Sequence, residues 1–241
     1  MKIIISPSKT QDREKTNVHG RDLLWPEKTN KLLQALGDYS SEEMGELMNI
    51  KGELLRETHE LYSNWKSDDR KVIAIDLYKG VAFAGINYHD YNKEQKDYLD
   101  NNLLILSALY GAVSPHTLIW PYRLDMTMKP RDGTLYSYWK DEIREIFKRE
   151  DLVVNLASYE FSRMVKIEKH KMLNIHFKKG FGKESKRLSS YEGKKARGEM
   201  VGILAENLAH TRERIRNLAP EGFRFDSQLS DENNYYYGLS L

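Results

Sequence analysis

The chain has 241 residues, enough to bury a sizeable core, with 40% hydrophobic and 31% charged residues. It has no cysteine, which excludes disulfides, thiol catalysis, iron–sulfur clusters and cysteine-type zinc sites. The net charge is only +2, yet residues 163–216 hold 15 Lys and Arg against 6 Glu and no Asp, a local excess of nine that points to a basic face and an anionic partner.

No apolar run approaches the roughly 18–20 residues that cross a bilayer. The N-terminal MKIIISPSKTQ lacks the apolar core, roughly 7–15 residues long, of a secretion signal. A cytoplasmic protein without a membrane partner is therefore expected. Repeats, low-complexity tracts and Pro/Gly-rich linkers are absent. One domain over residues 1–241 is expected, with a helical excursion at about residues 40–66.

Along the chain, Ile3–Ile5 form a β-branched run that reads as a buried strand ending at Ser6-Pro7. The loop that follows, Ser6-Pro7-Ser8-Lys9-Thr10, carries one full charge. Lys9 is thus either a candidate anion ligand or an exposed lysine in a turn. Ser40 and Glu43 have capping-box spacing and start a helix with Met44, Leu47 and Met48 on one face. A second helix places Leu54, Thr58, Leu61, Tyr62 and Trp65 together. Between them, Ile50, Lys51 and Gly52 form a tight connection that can be read as a DNA-binding helix-hairpin-helix or as an ordinary pair of helices. The usual hairpin has glycines on both sides of an apolar residue; here Asn49 precedes Ile50, and Gly52 falls one position late.

KVIAID (71–76), VAFAGI (81–86) and LLILSAL (103–109) read as strands. After the third come Tyr110, then Trp120, Tyr122 and Arg123. The rings could stack on a base and Arg123 could hold a phosphate; equally, the rings could be core and Arg123 paired with Asp125. EIREIFK (142–148) is an amphipathic helix and LVVNL (152–156) a strand. The latter ends in Asn155, Ser158 and Glu160: an amide, a hydroxyl and a carboxylate that could face a cleft. Glu160 is the candidate general acid or base. Ser158 is either presented with it or a helix cap, since no nearby histidine supports a serine nucleophile. LNIHF (173–177) and RLSSY (187–191) are further strands.

In KKARGEM (194–200), Lys194, Lys195 and Arg197 crowd what the apolar spacing of Ala196, Met200, Ile203 and Leu204 marks as a helix start near residues 193–195. Positive charge at that end opposes the helix dipole, so a bound anion is expected there. The seven histidines form no i, i+4 pair, and neither a metal nor a cofactor is called for. Neither G-x-G-x-x-G nor the P-loop motif occurs. Strands alternating with helices favour an α/β or mixed α+β fold.

Six ordered segments carry a resemblance. They are Ser6–Thr10, Leu106–Gly111, Pro121–Met126, Leu135–Trp139, Asn155–Ser158 and Lys194–Gly198. Together they span nearly the whole chain and resemble the YaaA family of bacterial peroxide-stress proteins. The resemblance implies a mixed α/β domain unlike the common superfolds, with a basic cleft, a helix-hairpin-helix element and a DNA partner, double-stranded or structured. It also implies a role in peroxide stress through iron homeostasis and less iron-driven DNA damage. Lys9, Arg123, Lys194, Lys195 and Arg197 fall on these motifs; Asn155 and Tyr110 join them as candidate DNA- or anion-binding residues. The residue types also admit an enzyme acting on a nucleotide, a nucleobase or another small phosphorylated molecule.

Overall fold

The computed structural model describes residues 1–14, 19–67, 70–130 and 133–240. The first half runs β1 (Lys2–Ile5), α1 (Pro26–Gly37), α2 (Ser41–Met48), α3 (Glu53–Ser63), β2 (Val72–Ile73), α4 (Ala74–Leu77) and α5 (Val81–Ala84). There follow α6 (Lys93–Asn102), β3 (Leu103–Ser107), β4 (Gly111–Val113), β5 (Leu118–Ile119), α7 (Leu135–Tyr138) and α8 (Lys140–Phe147). The last third runs β6 (Val153–Asn155), α9 (Tyr159–Ser162), β7 (Met172–Lys179), β8 (Lys186–Arg187), α10 (Ser190–Glu206), α11 (Arg212–Arg216), β9 (Phe223–Phe225) and β10 (Asn234–Leu239). The fold is mixed α/β.

One large sheet has the order β4-β3-β1-β6-β7-β10-β9, with β8 added to β7. Its central pairs, β3–β1, β1–β6, β6–β7 and β7–β10, are parallel; β4, β8 and β9 attach antiparallel. A central parallel strand has both faces covered, so it needs a continuous apolar run rather than alternation. Ile3, Ile4 and Ile5 supply one and are at most 2% exposed. Burial of each such side chain stabilises the fold by about 1.5–3 kcal/mol. The neighbouring Leu103–Ile105 and Val153–Val154 pair in register with β1 and are buried as well.

Several expected elements differ. VAFAGI is not a strand: Val81–Ala84 is a helical turn, opened by Gly80 at φ +100°. An apolar run of that length reads equally as strand or buried helix. In KVIAID only Val72–Ile73 is extended, and α4 follows directly. RLSSY contributes only Arg187 to β8. Ser189 then caps α10, accepting a hydrogen bond from the Glu192 N–H while the Glu192 carboxylate accepts from the Ser189 N–H.

That capping box moves the start of α10 to Ser190, ahead of KKARGEM. Lys194, Lys195 and Arg197 lie past the first turn, and the first-turn acid Glu192 suits the dipole. The conflict expected at the helix start does not exist. Gly198 lets α10 press on α5, where a Cβ would come within 1.9 Å of the Ala82 carbonyl oxygen.

Candidate functional site

The strand order reverses at β1. The chain leaves β1 for β3 on one side, and leaves β6 for β7 on the other. In an open α/β sheet such a switch point leaves a crevice beyond the carboxyl ends of the two diverging strands. A cavity of about 370 Å³ occupies this place. Its floor is the loop after β1, from Ser6 to Gln11, and the segment after β6, with Leu156, Ser158 and Glu160. Gly80, Val81 and Phe83 close one side; Tyr122–Asp125, Lys194 and Arg197 close the others.

The two loops of the floor are tied together. The Ser158 N–H donates to Ser6 Oγ at 2.8 Å, and the Ser6 hydroxyl donates to Ser158 Oγ at 3.1 Å. Ser158 sits at the N-cap position of α9, but its side chain does not cap that helix; the hydroxyl is turned to Ser6 instead. On the opposite wall the Tyr122 hydroxyl joins Tyr78 and Ser107 at 2.9 and 2.8 Å. Burial pushes the Tyr122 phenol up to about 12, so it stays neutral.

Among the described residues, five cations line the cavity, Lys9, Lys79, Arg123, Lys194 and Arg197, against two carboxylates, Asp125 and Glu160. They differ in what they already hold. Lys9 Nζ is 2.6 Å from Asp125 Oδ2, and Lys79 lies 3.7 Å from Asp12. Among the described residues, Arg123 and Arg197 form no ion pair. Arg123 Nε is buried without a hydrogen-bond partner. Arg197 is half-buried, and its guanidinium is held below its ordinary range by burial and by repulsion from Arg187. A desolvated cation beside another cation is costly until an anion arrives.

Glu160 is the other unusual group. Its carboxyl is pushed above the usual carboxylate range, first by desolvation and then by the neighbouring Asp125 charge. The Met126 N–H donates to Glu160 Oε1 at 3.2 Å, and that bond and Lys9 pull the other way. A half-buried carboxyl poised to take a proton, within a pocket of cations, can act as a general acid or base.

The remaining candidates lie elsewhere. Lys195 does not line the cavity and pairs with Glu199 on α10 at 3.4 Å. Asn155 does not line the cavity. It braces the turn above by accepting from the Ala157 N–H at 3.0 Å and donating to Asn174 Oδ1 at 2.8 Å. Tyr110 is buried: its hydroxyl donates to the Trp120 carbonyl at 2.6 Å and accepts from the Trp120 N–H at 2.9 Å. Trp120 and Tyr122 are core rings as well. Ile50, Lys51 and Gly52 connect α2 to α3, away from the cavity lining; Asn49 takes the left-handed conformation that ends α2, and Gly52 has φ +63°. Lys79 and Gln11 are cavity residues that the pattern of the sequence does not single out. Among the described residues no three His, Asp or Glu converge as a metal site, and no helix is long and apolar enough to cross a membrane.

Fold and cavity together define an α/β protein with a cation-lined cavity at the switch point of a largely parallel sheet. Comparison with known proteins adds the family. The family described as peroxide stress protein YaaA matches residues 1–229. A UPF0246 protein of Fusobacterium nucleatum is 39% identical over 246 residues, covering 98% of each chain. A UPF0246 protein of Rickettsia felis is 34% identical, covering 98% of this chain and 99% of its own. One from Rickettsia conorii is 32% identical over 87% of each. The chain belongs to the peroxide stress protein YaaA family.

Proposed function

We propose that this protein acts in the cytoplasm during peroxide stress by binding DNA, with a backbone phosphate held at the mouth of the switch-point cavity by Arg123, Lys194 and Arg197. The observation that carries this reading is the pair of guanidiniums without an ion-pair partner. A planar five-donor group fits phosphate bidentately, and partial burial strengthens that bond. Further support comes from β7 and β8, where Lys178 faces Arg187 and Lys179 faces Lys186 directly across the strands. Like charges opposed in this way are unfavourable unless an anion lies along them. The exposed rings of Tyr159 and Tyr191 supply stacking faces beside Glu160 and at the first turn of α10. The α2–α3 hairpin, with Ile50, Lys51 and Gly52, is read as an outlying backbone contact. Lys195 adds charge without a direct contact. DNA held in this way would be shielded from iron-driven oxidation.

A second reading is favoured by one observation, the raised carboxyl of Glu160 beside Asp125. In this reading the cavity binds a nucleotide or another small phosphorylated molecule. Glu160 then moves a proton to or from the reacting group while the arginines hold the phosphate.

The test is fluorescence anisotropy of a labelled DNA duplex, with a mononucleotide as competitor. Micromolar or tighter duplex binding that weakens steeply with salt, and that millimolar mononucleotide barely displaces, supports the DNA reading. No duplex binding at low salt, together with tight mononucleotide binding, overturns it in favour of the enzyme.

A further inference from the structure

The switch-point cavity is larger than a phosphate at its mouth requires. Its volume of about 370 Å³ falls within the range of small-molecule sites, roughly 300–1,000 Å³. Exposure sorts its lining. Lys9 and Lys194 are exposed and mark the mouth, whereas Ile5, Phe83, Leu156 and Phe161 are each at most 8% exposed and form the inner walls. More of the surface open to a ligand is apolar than polar. A phosphate on the outer cations leaves that apolar surface against water, and a flat group that covers it adds binding free energy. The group that a backbone phosphate carries with it is its own nucleoside, and every base has such a flat face.

The charged lining fits the same occupant. Lys9 is held by Asp125 at 2.6 Å and Lys79 lies 3.7 Å from Asp12, so their charges are largely answered. Among the described residues, Arg123, Lys194 and Arg197 form no ion pair and remain for the phosphate. Glu160 is the charged group left over. Its Oε1 accepts from the Met126 N–H at 3.2 Å, so its other oxygen can accept from an N–H on the edge of a base. Gln11 Oε1 accepts from the Tyr122 N–H at 3.0 Å, which leaves the amide nitrogen to donate. A base paired and stacked in a duplex offers neither its face nor its pairing edge, so only an unpaired nucleotide can use these groups.

We propose that the switch-point cavity receives the base of one unpaired nucleotide of the bound DNA, with the adjoining phosphate on Arg123, Lys194 and Arg197 and the base edge at Glu160 and Gln11. This inference rests on the DNA reading. A free mononucleotide shares the same chemistry, and the experiment separates the two sources.

The experiment uses the full chain and an end-labelled duplex with a single bulged 2-aminopurine nucleotide. Its controls are the same duplex with an abasic nucleotide in the bulge, the fully paired duplex, and free 2-aminopurine riboside monophosphate. Anisotropy reads affinity, and acrylamide quenching of the 2-aminopurine emission reads the exposure of the base. On saturation with protein, the quenching constant of the bulged base should fall by at least about threefold, because the cavity walls exclude the quencher. The abasic bulge should bind at least about fivefold more weakly than the 2-aminopurine bulge, because it brings nothing to cover the apolar walls. Val81→Trp, which puts a large ring on the cavity wall, should abolish both differences. If that variant does not fold, the abasic comparison and the quenching of the wild-type complex carry the test. Bound DNA whose bulged base stays as open to acrylamide as in free DNA, or equal affinity for the abasic bulge, overturns the inference and leaves the DNA reading standing. Protection of the free mononucleotide without protection of the bulged base also overturns it and gives the cavity to a small molecule. No binding to any of the three duplexes removes the DNA reading, and this inference with it.

Discussion

The α2–α3 hairpin and the switch-point cavity both carry cations, but they treat them differently. On α3, Arg56 sits between Glu53 and Glu60, one helical turn to either side, and bonds both. Its charge is answered within its own helix, at an exposed site where such pairs add little to stability. In the cavity, Arg123 and Arg197 come from a loop and a helix far apart in sequence, are partly desolvated, and form no ion pair among the described residues. The fold itself brings them together, and their own surroundings do not neutralise them. A cation that its neighbours already satisfy has little left for a ligand; one that the fold leaves unanswered gains most from binding.

The largest expected effect follows from this contrast. The double variant Arg123→Ala, Arg197→Ala should lower affinity for duplex DNA by at least about 100-fold at moderate salt, because each charge-assisted bond is worth roughly 1.5–3 kcal/mol. Anisotropy titration reads this directly, with circular dichroism as the check of fold. Gly198→Ala comes next. Its Cβ has no room against Ala82, so α10 and α5 must separate, at a cost of roughly 3 kcal/mol read by urea unfolding. Because Arg197 rides on α10, DNA affinity should fall as well.

Glu160→Gln should have a smaller effect of the opposite sign. The carboxyl binds its proton more readily in the folded chain than in the unfolded one, so folding is favoured below its raised folded value. That contribution is lost as pH rises from the ordinary carboxylate range through the folded value. Glu160→Gln should therefore raise stability at neutral pH, with the difference vanishing in acid. It should also raise phosphate affinity at neutral pH, within about tenfold, by removing a negative charge. Stability and affinity measured at pH 4 and pH 7.5 for both proteins test this. The smallest effect is expected at the hairpin: Lys51→Ala should change duplex affinity by less than about threefold.

Strands β1, β3 and β6 at the parallel centre of the sheet were legible because each is a short β-branched or leucine-rich run, as in Ile3–Ile5 and Val153–Val154. β10 was not read, although its alternating buried Tyr235 and Tyr237 carry a strand signal. β2 and β5, each two residues long, carry almost none, since long-range pairing alone makes them strands. The start of α10 was misread because the apolar stripe begins at Ala196, while the deciding signal, Ser189 with Glu192 three residues on, lies upstream. At the site, the motif residues Lys9, Arg123, Lys194 and Arg197 are among those that line the cavity, but their partners could not be read from local pattern. Asp125, two residues from Arg123, bonds Lys9 from across the fold, and Lys195, next to Lys194, turns to Glu199. Helical phase separates those two lysines: 100° per residue sends neighbours to different faces.

The central claim is that DNA phosphate is held by the unanswered cavity cations and not chiefly by the hairpin. It is tested most directly by the salt dependence of duplex binding for the wild type, the Arg123→Ala, Arg197→Ala variant and Lys51→Ala, measured side by side. The cavity variant should lower the slope of log affinity against log salt by about 2, and the hairpin variant by less than about 1. An unchanged slope for the cavity variant, with a flattened slope for Lys51→Ala, would contradict the account and move the phosphate to the hairpin.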